Sequence, residues 1–327
     1  MKVGITFDLK LTWLQQGLSH EQVAEFDSEE TIAGIESALN ELGFTTERIG
    51  NIIELTTALA NNRRWDLVFN ISEGYFGTGR EAQVPTILDA FQIPYVFSDP
   101  LVLSVTLHKA MAKHIIKNHG IPTAPFAVIK DKTDIEKINL EYPIFIKPVS
   151  EGSGKGISHK SLIYSYLELV QYINEMPDDF NNQILVEEFL PGREFTVGIV
   201  GTGKDAATCG IMEIVSKKQG MELIYSLHTK DNYLSEVSYL IPEQSITQKC
   251  NELALAAWNA LECRDGGRVD IRIDRHGVPN FIEINPLAGL NPIHSDLPIL
   301  CRMNGISYSC LIDMIMQSAL KRINKTK

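Results

Sequence analysis

Two short segments near the carboxyl end of the chain carry acidic and amide side chains at regular spacing. They run from Gly266 to Asp274 and from Phe281 to Pro286, and a link containing Gly277 joins them. Polar and apolar residues alternate in both segments, which predicts two strands connected by a hairpin turn. A turn centred between positions 276 and 277 pairs Asp270 with Glu283, so these carboxylates are expected to face each other.

The same register gathers more polar groups on that face of the hairpin. It carries Arg268, Asp270, Arg272, Phe281, Glu283 and Asn285, with Arg268 opposite Asn285. Opposed carboxylates repel unless positive charge lies between them. Oxygens of Asp, Glu and Asn suit Mg²⁺, which takes one or two protein carboxylates and completes its shell with water and nucleotide phosphates. The alternative is a solvated acidic hairpin, because a one-residue error in the turn abolishes the pairing.

Length and composition limit the class of protein. The 327 residues predict two or three domains, and 44% hydrophobic with 22% charged residues is typical of a soluble globular protein. The net charge of −11 argues against general nucleic-acid binding. We expect no membrane span and no secretion signal, since no apolar run approaches roughly 20 residues. Five cysteines without a close pair indicate reduced thiols and a cytoplasmic protein.

Strand and helix patterns alternate over the first 100 residues, which predicts an α/β domain with a parallel sheet. Asp27 and Glu30 form a candidate capping box at the start of one helix, which Gly43 ends. The predicted strands span 2–7, 65–71 and 94–97, and the predicted helices 27–42, 56–61 and 81–91.

Helices and strands are mixed in the rest of the chain, which predicts an α+β arrangement. One long helix is predicted over 101–120 and another helix over 309–322. Strands are predicted over 126–129, 144–147, 183–188 and 194–200.

A lysine ends one of these strands, and a glycine-rich loop follows it. Lys147 precedes residues 150–156, Ser-Glu-Gly-Ser-Gly-Lys-Gly, whose glycines let the backbone approach a phosphate closely. Lysine is a common phosphate ligand, so the combination favours phosphate binding. The spacing is not that of a P-loop, and a flexible surface loop is the alternative.

Three other polar segments allow both a functional and a structural interpretation. Residues 186–194 could contact an adenine and a ribose, or form an acidic linker. Residues 212–239 could form a lid, or an ordinary surface excursion. In residues 286–298 a glycine amide and a serine hydroxyl could bind a substrate carboxylate, although turn formation alone accounts for the prolines.

In this order the motifs resemble the ATP-grasp superfamily, and specifically the D-alanine–D-alanine ligase family. The resemblance extends from about Trp65 to the C-terminus. It depends on Lys147 with its loop, Glu187 to Glu194, Lys230, Arg268, Asp270, Glu283 and Asn285. It implies an α/β (α+β) ATP-grasp fold in which a Rossmann-like parallel-sheet domain, residues 1–100, precedes two α+β subdomains, residues 101–187 and 188–327, that enclose ATP.

The resemblance implies which residues bind the nucleotide and its metal ions. The phosphates would be held by Lys109 and Lys147, the adenine by Glu187 and the backbone near Leu190, and the ribose by Glu194. Two Mg²⁺ ions, with Mn²⁺ as the alternative metal, would be held by Asp270, Glu283 and Asn285.

It also implies which residues act on the substrates. Lys230 would reach the transferred phosphoryl group, and Ser153 would lie in the loop that closes over it. Arg268 and the Gly289 amide would stabilise an oxyanion. Ser295, beside His294, would bind the carboxylate of the attacking amino acid.

The implied reaction forms an acyl phosphate from ATP and a carboxylate, and an amine then attacks to give an amide, ADP and phosphate. Metal ions and lysines would neutralise the migrating phosphoryl group in a closed site. The family suggests small amino acids as substrates, peptidoglycan synthesis as the pathway and a homodimer as the assembly.

The chain departs from the family pattern around the substrates. In place of the Gly-Gly-x-Ser-x-Glu element it has residues 4–10, Gly-Ile-Thr-Phe-Asp-Leu-Lys, so an acid for the substrate amine would come from Asp8 or from residues 25–30. His108 replaces an aspartate, and Asp231 replaces an aromatic residue. One alternative is therefore a ligase for another amino acid or peptide outside peptidoglycan synthesis. Another is a nucleotide-binding protein without ligase activity.

Overall fold

Three β-sheets organise the chain in a computed structural model, which describes residues 1–152, 154–176, 183–217, 229 and 232–326. They fall within residues 2–70, 126–188 and 194–285. The division into domains at residues 100 and 187 stays a prediction. Within the described part, no helix is long and apolar enough to cross a membrane.

The first sheet is parallel, as predicted. Strand β1 (Lys2–Thr6) lies between β2 (Thr45–Gly50) and β3 (Leu67–Asn70). The predicted strand at 94–97 contributes only a bridge between Val68 and Tyr95. The helices of this part are α1 (Lys10–Gln15), α2 (Glu29–Glu41), α3 (Ile52–Ala60) and α4 (Gln83–Ala90).

Ser28, and not Asp27, caps helix α2. The Ser28 hydroxyl accepts a hydrogen bond from the Thr31 amide at 3.3 Å. The Asp27 backbone is instead paired with the chain after β1, since its amide donates to the Asp8 carbonyl and its carbonyl accepts from the Lys10 amide. The predicted Asp27–Glu30 capping box is therefore wrong.

The long helix predicted over 101–120 is divided in two. Helix α5 (Pro100–Leu107) and helix α6 (Lys109–Asn118) are separated by His108, whose ψ of 88° is not helical. The His108 ring accepts a hydrogen bond from the Met111 amide and so caps α6. The break puts Lys109 at the first position of a new helix, where its amide donates to the Val149 carbonyl.

The second sheet is antiparallel and carries the glycine-rich loop. Its order is β4-β7-β5-β6, and helix α7 (Tyr166–Asn174) packs on it. The strands are β4 (Phe126–Ile129), β5 (Ile144–Pro148), β6 (Leu162–Ile163) and β7 (Ile184–Glu188). Single 3₁₀ turns lie at Arg80–Ala82, Lys132–Lys137, His159–Ser161 and Gly203–Asp205.

The third sheet is antiparallel with the order β10-β9-β8-β11-β12. Its strands are β8 (Glu194–Val200), β9 (Ala207–Ser216), β10 (Val237–Leu240), β11 (Gly266–Ile273) and β12 (Pro279–Asn285). The helices around it are α8 (Tyr233–Glu236), α9 (Gln244–Ala260), α10 (Asp296–Met303) and α11 (Tyr308–Thr326).

The β11–β12 hairpin has the predicted register at its acidic end but not near its turn. Asp270 is paired with Glu283, and Arg268 with Asn285. A bulge then makes Ile282 an extra residue, so that Ile271 is paired with Phe281. Phe281 is consequently buried in the apolar core, and its predicted position on the polar face is wrong. Ile282 and Glu283 instead both line the cleft described below.

The apolar core of the first sheet is completed by the last helices of the chain. Val3, Ile5 and Phe69 pack in one cluster with residues of α10 and α11, among them Leu300, Ile312, Ile315 and Met316. Burial of so much aliphatic surface is the main stabilising contribution, at about 25 cal/mol per Å² of apolar area. The two ends of the chain thus share one core.

Candidate active site

A cleft of about 790 Å³ lies between the second and third sheets. The second sheet provides Phe145, Lys147 and residues 187–188 of β7, which the chain continues as Phe189 and Leu190. The third sheet provides Glu194, Asp270, Arg272, Ile282 and Glu283, and Lys109 enters from α6. All the residues predicted to bind nucleotide therefore line one cleft: Lys109, Lys147, Glu187, Leu190 and Glu194.

Part of the lining of this cleft is apolar. Phe145, Phe189 and Ile282 line it, and the Arg272 guanidinium lies 4.8 Å from the centre of the Phe189 ring. Arg272 also pairs with Glu194 at 3.2 Å. An apolar slot with polar groups at its edge is a usual site for a planar ring that carries a hydroxylated sugar.

Another part of the lining consists of buried charges. Lys147 Nζ lies 2.9 Å from Glu187 Oε1, and Lys113 Nζ lies 3.0 Å from Glu187 Oε2. Burial alone would lower the pKa of Lys147, but the Glu187 and Glu283 carboxylates raise it, so the amine stays charged. Burial likewise opposes ionisation of Glu187, but the two lysines hold its pKa below the usual value.

The glycine-rich loop lies beside Lys109. The Lys109 amine donates to the Glu151 carbonyl, and it lies 3.6 Å from Glu283 Oε2. Gly154 and Gly156 have φ values of 74° and 70°, a region that favours glycine. Ser153, predicted to lie in this loop, and Lys230, predicted to reach the phosphoryl group, lie outside the described residues.

The predicted metal ligands meet on one face of the hairpin. The Asp270 carboxylate accepts hydrogen bonds from Thr196 Oγ1 at 2.9 Å and Asn285 Nδ2 at 3.4 Å. It also pairs with Arg268 at 2.5 Å. Two carboxylates, each beside a cation, and an amide fit Mg²⁺ that takes its remaining ligands from phosphates and water. Among the described residues, no three His, Cys, Asp or Glu side chains converge on a metal position, so an all-protein cage is not present there.

A second cleft of about 660 Å³ adjoins the first, and both are lined by Lys109 and Glu283. Its other lining residues come from β11, from residues 284–289 at and after the end of β12, from Gly152 of the glycine-rich loop, and from the N-terminal part of the chain. The acidic ones among them are Glu25, Glu73 and Glu81, and Arg268 is the basic one. A ligand here would therefore lie beside both the first cleft and the predicted metal ligands.

Two acids of the second cleft, Glu73 and Glu81, are poorly compensated. Burial raises the pKa of Glu81 to about 7, and burial together with the nearby Glu81 raises the pKa of Glu73. Within the described part of the chain, the side chains of Glu73 and Glu81 make no hydrogen bond or ion pair. An ammonium group bound here would relieve their repulsion, which favours an amine-bearing ligand.

An ion pair from the N-terminal part of the chain holds the glycine-rich loop. Glu25 and Arg80 lie 2.9 Å apart, and both side chains are buried. The Glu25 carboxylate accepts from the Gly152 amide, and Arg80 donates to the Ser150 carbonyl at 2.9 Å. Asp8, the other acid considered from the sequence, accepts from Gly74 and Trp13 and does not line either cleft.

The residues predicted to bind the attacking amino acid lie at the edge of the second cleft. Gly289 lines it, and a Cβ there would come within 2.9 Å of Ser295 Oγ. Ser295 Oγ accepts from the Asn291 amide at 3.0 Å. His294 is exposed. Neither His294 nor Ser295 is among the described residues that line the cleft. Their predicted substrate contacts stay predictions.

Sequence reasoning missed several charged residues of this site. Arg80, Glu73 and Glu81 follow the end of parallel strand β3, in a segment with glycines at 74, 77 and 79. Loops after the carboxyl ends of parallel strands commonly bind ligands, so this position was the available signal. Lys113 gave no signal, because it appears as one polar residue within a helix.

Comparisons with known proteins identify the family of this chain. Residues 115–317 match the family model described as "D-ala D-ala ligase C-terminus". A D-alanine–D-alanine ligase of Bordetella pertussis is 30% identical over 250 residues, which is 75% of this chain and 76% of that protein.

Two solved structures show the same fold. One is a D-alanine–D-alanine ligase from Bacillus anthracis complexed with ATP, with a TM-score of 0.73, 20% identity and 100% of both chains covered. The other is a D-Ala:D-Ser ligase from Enterococcus faecalis, with a TM-score of 0.71 and 19% identity, covering 97% of this chain and 99% of that one.

Proposed function

The chain belongs to the D-alanine–D-alanine ligase family and has its ATP-grasp fold, and from this premise we propose an activity for it. We propose that it uses ATP to activate the carboxylate of one amino acid as an acyl phosphate, which the amine of a second amino acid attacks. The products are a dipeptide, ADP and phosphate. It is accordingly an ATP-dependent ligase.

The observation that carries the proposal is the junction of the two clefts. Lys109 and Glu283 line both of them. A phosphate at the charged end of the first cleft would therefore lie beside a carboxylate in the second. Holding two reactants in such proximity removes much of the entropic cost of their reaction.

Mg²⁺ fits the donor set of the hairpin, and Asp270, Glu283 and Asn285 would hold it. When bound, it would offset phosphate charge and polarise the transferred group. The nearby cations serve the same purpose, since Lys109 lies 3.6 Å from Glu283 and Lys147 lines the phosphate end. These lysines would orient the phosphates and neutralise charge that develops during transfer.

Arg268 is the basic group of the β11–β12 hairpin that lines the second cleft. It would stabilise the oxyanion formed when the amine attacks, together with the Gly289 amide. Its contacts to Asp270 at 2.5 Å and to Asp296 at 3.7 Å support this role, because they orient the guanidinium before substrate binds.

The acids of the second cleft support an amino acid as the carboxylate donor. Glu73 and Glu81 would bind its ammonium group. They would thus perform the role of the family's glutamate, which this chain lacks after β1. The relatives' names favour D-alanine as one substrate, and D-alanine or D-serine as the other. Peptidoglycan synthesis is the pathway that this pair of substrates would serve.

Phosphate release from ATP tests the proposal. Purified protein with Mg²⁺ is assayed against D- and L-amino acids singly and in pairs, and products are identified by mass. We expect turnover with D-alanine and formation of its dipeptide. Turnover with another pair alone would keep the ligase chemistry and replace the substrate, whereas ATP binding without turnover of any pair would contradict the proposal.

A further inference from the structure

Lys113 is a fully buried lysine behind the nucleotide cleft. Its side chain has no exposed surface, and it does not line either cleft among the residues described for them. The amine contacts Glu187 Oε2 at 3.0 Å and donates to Thr123 Oγ1 at 2.6 Å and to the Phe281 carbonyl at 3.4 Å. Lys113 does not take part in the proposed reaction steps.

Glu187 lies between this lysine and one that faces the nucleotide. One oxygen of its carboxylate contacts the Lys113 amine at 3.0 Å, and the other contacts the Lys147 amine at 2.9 Å. Glu187 is 4% exposed and Lys147 is 5% exposed, so water screens these charges weakly. The group of three carries one net positive charge, and only Lys147 and Glu187 of the three line the cleft.

Without Lys113 this group would be neutral. The carboxylate of Glu187 would then cancel the charge of Lys147, and the cleft would lose one positive charge at the end assigned to the phosphates. Burying an additional ammonium costs free energy, and burial lowers the pKa of Lys113 accordingly. A neutral side chain of similar length would fill the same space without that cost, so volume alone does not account for a lysine here.

We propose that Lys113 is a positioning residue that neutralises Glu187, so that Lys147 keeps its charge for the nucleotide phosphates. This inference rests on the proposed function only in assigning phosphates to the Lys147 end of the cleft. Lys113 acts through Glu187 and does not touch the nucleotide itself. Its contact with the Phe281 carbonyl also ties the group to strand β12, which carries Glu283.

The test compares ADP with adenosine, because the two differ only in their phosphates. Affinities of wild type, Lys113→Met, Glu187→Gln and the double variant are measured by calorimetry, with thermal unfolding as the check on folding. For Lys113→Met we expect ADP affinity to fall roughly tenfold to hundredfold, since one charge is lost in a weakly screened site. Adenosine affinity should change by less than about threefold in the same variant.

The double variant keeps the test decisive if Lys113→Met alone does not fold. Removing Lys113 and the Glu187 charge together leaves the site with its original net charge. Because Glu187 is also predicted to contact the adenine, the readout is the ratio of ADP affinity to adenosine affinity, which should return to within about fivefold of wild type. A merely structural lysine would not be rescued in this way. Lys117→Met, on the exposed face of the same helix, is the matched control and should leave both affinities unchanged.

Two results would overturn the inference. One is an equal loss of ADP and adenosine affinity in Lys113→Met. The other is a ratio of ADP affinity to adenosine affinity that stays more than about fivefold below wild type in the double variant. Failure of the proposed function is distinguishable, since it would appear as normal ADP binding by wild type without turnover of any amino-acid pair.

Discussion

Glu25 and Arg80 form a buried ion pair of 2.9 Å, and each of them also holds one backbone group of the glycine-rich loop. The pair comes from the N-terminal part of the chain, whereas the loop belongs to the second sheet. These contacts fix the position of the glycine-rich loop relative to the second cleft, which Glu25 also lines.

Replacing Glu25 by alanine should therefore destabilise the protein. The change leaves Arg80 buried without its carboxylate, and removal of one partner of a buried pair costs about 3–5 kcal/mol. Urea unfolding would measure the loss. Glu36→Ala is the matched control, because its pair with Arg48 is partly exposed and should contribute less than about 1 kcal/mol. Equal losses for the two variants would contradict the prediction.

Glu283→Gln should raise the Mg²⁺ concentration needed for half-maximal turnover by at least about tenfold, because a charged donor is lost. A Mg²⁺ titration at saturating ATP would measure the shift. Asp274→Asn changes an acid of the same hairpin whose carboxylate instead accepts from the His276 and Val278 amides of the turn. That variant should lose some stability and keep the Mg²⁺ dependence of wild type. Normal turnover of Glu283→Gln at ordinary Mg²⁺ concentration would contradict the assignment of Glu283 as a metal ligand.

Arg268 and Arg272 lie on the same face of β11 but should affect different kinetic constants. Arg268→Ala should lower kcat by about 10²–10³ and leave the KM for ATP nearly unchanged, since an oxyanion contact is made only during the reaction. Arg272→Ala should mainly raise the KM for ATP, because this side chain contacts Phe189 and Glu194 in the nucleotide cleft. Steady-state kinetics for both variants would decide, and a pure loss of ATP binding in Arg268→Ala would refute its assigned role.

Glu81 should make stability depend on pH. Burial raises its pKa from 4.5 to about 7 in the folded protein. Its contribution is therefore fully present below pH 4.5, is lost as the pH rises from about 4.5 to about 7, and stays constant above that range. Glu81→Gln removes this pH-dependent contribution. The unfolding free energy of the variant, relative to that of wild type, should therefore rise by on the order of 1–3 kcal/mol across that interval. Urea unfolding at several pH values would test this, and a constant difference would contradict it.

Much of the hairpin was predictable because its alternation of polar and apolar residues is local. The pairing of Asp270 with Glu283 follows from that alternation and from the position of Gly277. The bulge at Ile282 was not predictable, because it depends on how β12 packs against the rest of the sheet. The predicted turn centre is displaced from the observed one, and the extra residue at the bulge offsets that displacement. The pairing at the acidic end was therefore still predicted correctly.

Contacts between distant parts of the chain could not be predicted from patterns. Glu25 meets Gly152 across 127 residues, and Arg80 meets Ser150 across 70. The division of the long helix at His108 was also missed, because the surrounding residues all suit a helix. There the hydrogen bond from the Lys109 amide to Val149 determines the local conformation.

The shared core of the first sheet and helix α11 has a consequence for synthesis of the chain. Strands β1 and β3 are made long before Ile312, Ile315 and Met316, which cover them. The first sheet therefore stays without its apolar cover until α11 has been translated. Removal of α11 should accordingly expose these strands and promote aggregation, even though every residue predicted to bind a ligand is retained.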